Sequence, residues 1–108
     1  MALKRRRAIA EKELVGIDCA MTPGALHVWI PLPDGVNEAV FVDRARQRGV
    51  AIAAGATFRA GREPSAPAIR VALAASSEIE LSSSLALIAG MFRDESRTRR
   101  AAAVTDNG

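Results

Sequence analysis

The stretch Pro67–Ala74, PAIRVALA, which reads as a strand over Ala68–Ala74, decides how the rest of the chain is read. Successive side chains of a strand point to opposite faces. Ile69, Val71 and Leu73 then face a core, and Arg70 shares the other face with Ala72. An arginine on a solvated strand face needs no special explanation. A functional reading requires that this face be covered or ligand-bearing, and only the surrounding sequence can supply that.

Upstream, LHVWIPL at Leu26–Leu32 is the clearest second strand. Its alternation puts Leu26, Val28 and Ile30 on one face and His27 and Trp29 on the other. Pro31 limits ladder bonding at its end, because proline has no N–H. Ile17–Met21 is a possible short strand, with a turn at Thr22, Pro23 and Gly24; Pro33, Asp34 and Gly35 make a second turn. Val50–Ala53 reads as a short buried strand, followed by a Gly-, Ala- and Pro-rich loop from Ala54 to Pro67.

Three helices complete the pattern. Residues 3–15 keep Leu3, Arg7, Ala10 and Leu14 at helical spacing, and Gly16 fits the end. Asn37 is an N-cap for a helix over Glu38–Arg48, with Val40, Phe41 and Ala45 toward the core and Gly49 as the stop. Ser77 and Glu80 form a capping box, S-x-x-E, for a third helix of about 15 residues. Ile79, Leu81, Leu85, Ile88 and Phe92 line its apolar side. The order of elements predicts an α+β fold: a two-layer sandwich, with a small, mostly antiparallel sheet and helices on one face. His27, Trp29, Arg70 and Ala72 share the other face. An aromatic and an arginine together suit a covered surface better than a wet one.

Size and composition set the bounds. The chain has 108 residues, one domain by length. Hydrophobic residues make up 49%, so a core can form. Tyrosine is absent, and Phe41, Phe58 and Phe92 are its bulky core members. The reading divides the chain into a module over 1–96 and a disordered basic and polar tail over 97–108. The net charge is +3, carried by thirteen Arg and two Lys. KRRR at 4–7 and RTRR at 97–100 are basic clusters that suit either nucleic acid or an ordinary solvated surface. Few aromatics accompany them, which argues against single-strand binding.

Self-contained chemistry is not legible. Cys19 is alone, which fits a reducing cytoplasm and excludes a disulfide within the chain. One histidine, His27, excludes a histidine-rich metal site. No phosphate-binding glycine motif or nucleophile elbow is present. Lys4 and Lys12 lie in a charged helix, and nothing suggests a pocket around them. No apolar signal segment follows the basic start, and no run approaches the roughly 20 apolar residues that span a bilayer. Spacing and composition therefore give no catalytic residue and no metal ligand.

Four segments in order carry a resemblance: PGALHVWIPLPDG at 23–35, FVDRARQRGVAIAAGATF at 41–58, PAIRVALA at 67–74 and SSEIELSSSLALIAGMF at 76–92. Over residues 3–93 the chain resembles the C-terminal small domain of fold type I aminotransferases. It looks closest to the aminotransferase-like domain of MocR-type regulators of the GntR family. Ala25 stands where that family often has Gly, and Ala54 where proline is frequent.

The resemblance implies that Arg70 binds the α-carboxylate of an amino acid. Two parallel N–H donors and a permanent charge suit that task. It also implies that pyridoxal phosphate belongs to the parent family but is held upstream, with no cofactor-binding residue in this segment. The isolated chain is then expected not to be an enzyme. The expected role is a fragment or truncated form of such a regulator, self-associating or meeting a large-domain partner. A separate subunit completing an aminotransferase in trans is an alternative, and so is a small basic nucleic-acid-binding protein. Membrane attachment is not expected, direct DNA contact is disfavoured, and the expected location is cytoplasmic.

Overall fold

A computed structural model describes residues 2–21, 26–33, 35–55, 67–74 and 76–106, with side chains described for 4–98 within those segments. The elements run α1 (Ala2–Glu13), β1 (His27–Pro31), α2 (Glu38–Gln47), β2 (Ala53–Ala54), β3 (Ala68–Ala72) and α3 (Glu78–Asp106). The strands form one antiparallel sheet in the order β1-β3-β2. The α+β architecture matches the expectation from sequence.

The core follows from period. Val28 and Ile30 of β1 are fully buried, as is Ile69 of β3, with Val71 beside it and Leu73 just beyond the strand. Against them pack Ala10 of α1 and Leu14 just beyond it, Phe41 and Ala45 of α2, and Leu81, Leu85, Ile88 and Phe92 of α3. The α3 stripe advances by four, three and four residues, which keeps it on one side of a helix. Phe41 and Phe92 meet edge to face, with ring centroids 5.2 Å apart, an arrangement that suits the aromatic quadrupole.

The helix ends follow local chemistry. The Asn37 side chain accepts a bond from the Val40 N–H at 3.1 Å, satisfying one donor that the first turn leaves open. Asn37→Ala should therefore lower stability by about 1 kcal/mol, read as an earlier urea midpoint with an unchanged slope. Ser77 and Glu80 exchange the two bonds of a capping box, at 3.1 and 3.2 Å. Bonds from the Ser77 side chain and backbone hold the Glu80 carboxyl below its ordinary range. Gly16 and Gly49 take φ of 81° and 87°, which lets the chain turn as α1 and α2 stop.

Several expectations change. Helix α3 has 29 residues, not about 15, and its backbone stays helical through 97–106, where a disordered tail was expected. The S-x-x-E cap fixes its start, and no Gly or Pro follows Gly90 to stop it before Asp106. Val40 is 49% exposed and Ile79 81% exposed, not core. The buried pair on α2 is Phe41 with Ala45, four residues apart, and Val40 lies beside that line. Ile79 precedes Leu81 by two residues, which turns it about 200° away from the buried stripe. Leu26 is 56% exposed because β1 begins after it, although its carbonyl still accepts the Leu73 N–H at 2.8 Å.

The short strands also shift. Ile17–Met21 contributes only a single bridge, Ala20 to Trp29. The expected strand at Val50–Ala53 is displaced to Ala53–Ala54, and the strand from Ala68 ends at Ala72 rather than Ala74. The turn at 22–24, Asp34, most of the loop from 54 to 67, and Phe58 lie outside the described residues.

Candidate functional site

The sheet face away from the helices carries the sequence's candidate. Arg70 lies on the central strand, opposite Trp29 of β1 on one side and Ala53 of β2 on the other. Directly opposed residues share a face, so Trp29, Arg70 and Ala53 form one row across the sheet. In the next row His27 stands opposite Ala72. His27, Trp29 and Arg70 are half-buried, whereas Ala72 is exposed. A central strand bonded on both edges is the most rigid platform this sheet offers.

Arg70 and His27 are joined: Arg70 Nη2 lies 3.1 Å from His27 Nδ1. The sequence placed both residues on this face but gave them no relation. Alternation reports a face, whereas their contact depends on how β1 registers against β3, which spacing within one strand does not reveal. The signal that was available is parity: residues 27, 29, 70 and 72 all fall on the face left over by the buried set.

The face is locked to the rest of the fold at its rim. Glu38 Oε1 accepts the Ala68 N–H at 2.8 Å, tying the start of α2 to the start of β3. Leu32 N–H donates to the Pro67 carbonyl at 2.8 Å. Trp29 exchanges both backbone bonds with Ala20, at 2.8 and 3.0 Å, which pins the segment after α1 against the outer edge of β1.

Two arginines of the N-terminal basic cluster are bonded within the chain. Arg5 makes a two-oxygen contact with Glu78 at 2.9 and 3.0 Å. Arg6 Nη1 donates to the Leu73 carbonyl at 2.9 Å and also to the Ser76 carbonyl, bracing the connection between β3 and α3. Arg7 is half-buried, and its buried Nε has no hydrogen-bond partner among the described residues. In the other cluster, Arg97 pairs with Asp94 one turn away at 3.6 Å.

Other candidates stay apart from this face. Burial, then the charges of Asp18 and Glu11, push the Cys19 thiol up, which disfavours the reactive thiolate. A groove of about 590 Å³ lies between Val15–Asp18, Pro31–Pro33 and Phe92–Arg97, and one of about 430 Å³ between α2 and α3. Neither is lined by Arg70, His27 or Trp29. Among the described residues no three His, Cys, Asp or Glu side chains gather as a metal site, and no helix is long and apolar enough to cross a membrane.

No protein-family model and no curated protein matches the sequence. Solved structures do. An archaeal alanine:glyoxylate aminotransferase superposes with a TM-score of 0.74 at 23% identity, over 84% of this chain and 24% of its own. The kynurenine aminotransferase of Pyrococcus horikoshii, solved with PMP, gives 0.73 at 25% identity, over 85% and 24%. The multiple substrate aminotransferase of Thermococcus profundus gives 0.73 at 23% identity, over 90% and 25%. The chain thus has the fold of one part of an aminotransferase, and spans about a quarter of the length of these enzymes.

Proposed function

We propose that this chain is the small lobe of an aminotransferase-like protein of the MocR-type GntR regulator class, and that Arg70 grips the carboxylate of an amino acid effector at the junction with a larger lobe. The observation that carries the reading is the placement of Arg70. It stands on the central strand, on the face opposite the helices, between Trp29 and Ala53. The likeness to aminotransferases over about a quarter of their length supports the lobe assignment. The specific order of H-x-W-x-x-L, R-G-V and A-I-R-V segments supports the regulator class.

The residues of this chain do not fit pyridoxal phosphate by themselves. Its two lysines, Lys4 and Lys12, are exposed on α1, which belongs to the helical layer rather than to the Arg70 face. No step of amino-group chemistry is assigned to it. Its own contribution is recognition: a fixed guanidinium distinguishes an amino acid from the corresponding amine, because only the former presents two parallel acceptor oxygens.

The test is association. The 108-residue chain, mixed with the large lobe of a MocR-type regulator prepared without its own small lobe, is expected to sediment as a one-to-one complex. Two separate species at tens of micromolar would contradict the proposal. Arg5 and Arg6 are bonded within the chain, which does not favour nucleic-acid binding through those two residues.

A further inference from the structure

We propose that His27 is the positioning residue for Arg70, holding its guanidinium in place on the sheet through ring nitrogen Nδ1. The inference rests on the reading of Arg70 as an acid grip and names what aims that grip.

The starting point is the 3.1 Å separation between Arg70 Nη2 and His27 Nδ1. A guanidinium has five N–H donors and no acceptor. The nitrogen facing it must therefore accept, and the neutral ring carries its proton on Nε2. This bond fixes the histidine's tautomer and the arginine's direction at once.

The register explains why the bond forms. Trp29 stands opposite Arg70, and His27 stands opposite Ala72. His27 is thus the diagonal neighbour of Arg70, within reach of a long side chain but not of a short one. Ala72 has only a methyl group, so nothing opposite His27 blocks the arginine from leaning along the strand. Trp29, directly across from Arg70, gives the aliphatic stem an apolar flank. The register therefore sets the direction: Trp29 stands opposite Arg70, His27 bonds its head, and small Ala72 stands opposite His27.

Arginine has a flexible stem, and ordering it opposes binding of a ligand. A bond made before the acid arrives removes part of that ordering cost. It uses one of the five N–H groups, whereas a carboxylate engages two parallel ones. His27 is not itself a ligand contact in this scheme; it acts through Arg70.

The experiment uses the 108-residue chain, labelled with nitrogen-15. Long-range nitrogen correlations report the His27 tautomer, and the Arg70 side-chain Nε–H signal reports acid binding. Acetate is the probe, with chloride at equal ionic strength as the control. The neutral ring is expected as the Nε2–H tautomer, and Arg70→Ala should abolish that preference. His27→Asn, whose side-chain oxygen can replace Nδ1 as an acceptor, should keep the acetate response. His27→Phe, which keeps the ring but not the acceptor, should bind acetate about fivefold more weakly, the effect of one net hydrogen bond.

A neutral ring protonated at Nδ1 overturns the proposal. So does equal acetate affinity in His27→Asn and His27→Phe with both variants folded. If acetate moves Arg70 in no variant, the acid grip itself falls and the positioning role falls with it. The Nε2–H tautomer would in that case identify the failure as one of function, because the histidine–arginine bond would still be present.

Discussion

Phe41→Ala is expected to destabilise the chain by about 3–5 kcal/mol, the usual effect of emptying a buried aromatic site. Phe41 is 1% exposed and lies edge to face against Phe92, which belongs to a different helix. Truncation therefore removes both apolar burial and the aromatic contact that joins α2 to α3. The core has few other large residues with which to refill the space, since aromatics make up only 4% of the chain. Domains of this size have about 5–15 kcal/mol in total, so the variant should be largely unfolded at modest urea. Phe41→Leu, which keeps most of the volume, should lose much less. Equal urea midpoints for the wild type and Phe41→Ala would show that the two phenylalanines are not the hinge of the helical layer.

Trp29→Ala is expected to weaken association with the proposed large lobe by about 2 kcal/mol or more, roughly thirtyfold in Kd. Trp29 is half-buried on the helix-free face, beside Arg70 in the central row. Its backbone is held by two bonds to Ala20 and by pairing with β3, so removing the side chain leaves the strand in place. Tryptophan at the centre of a contact commonly dominates the binding energy. Sedimentation across a concentration series reads the change directly. An unaltered Kd, with the variant's urea midpoint near that of the wild type, would move the interface off this face.

Much of the fold was legible because its periods are clean. PAIRVALA alternates apolar residues with Arg70 and Ala72, and the structure buries Ile69, Val71 and Leu73. Asn37 and the Ser77–Glu80 box start their helices where a cap chemically must. Termination was harder to read. Gly49 gave a stop signal for α2, but α3 has none, and a polar, alanine-rich sequence after Arg93 reads equally as a frayed end or as an exposed helix.

The short strands were the other weak point. Ala53 and Ala54 have little strand preference of their own and pair only because β3 offers an open edge. Val40 and Ile79 misled because they are apolar yet lie off the buried stripe, Val40 beside it and Ile79 on the far side of its helix. For the site, parity placed His27, Trp29, Arg70 and Ala72 on one face. Register, a property of two strands together, was needed to join His27 to Arg70.

The most direct measurement compares an amino acid with the amine that lacks its carboxylate, both binding to the proposed two-lobe complex, with Arg70 intact and as Arg70→Ala. The account predicts a strong preference for the amino acid in the intact protein. It predicts loss of at least about 2 kcal/mol of that preference in the variant, the contribution of charge-assisted bonds to one carboxylate. An undiminished preference in folded, associated Arg70→Ala would contradict it.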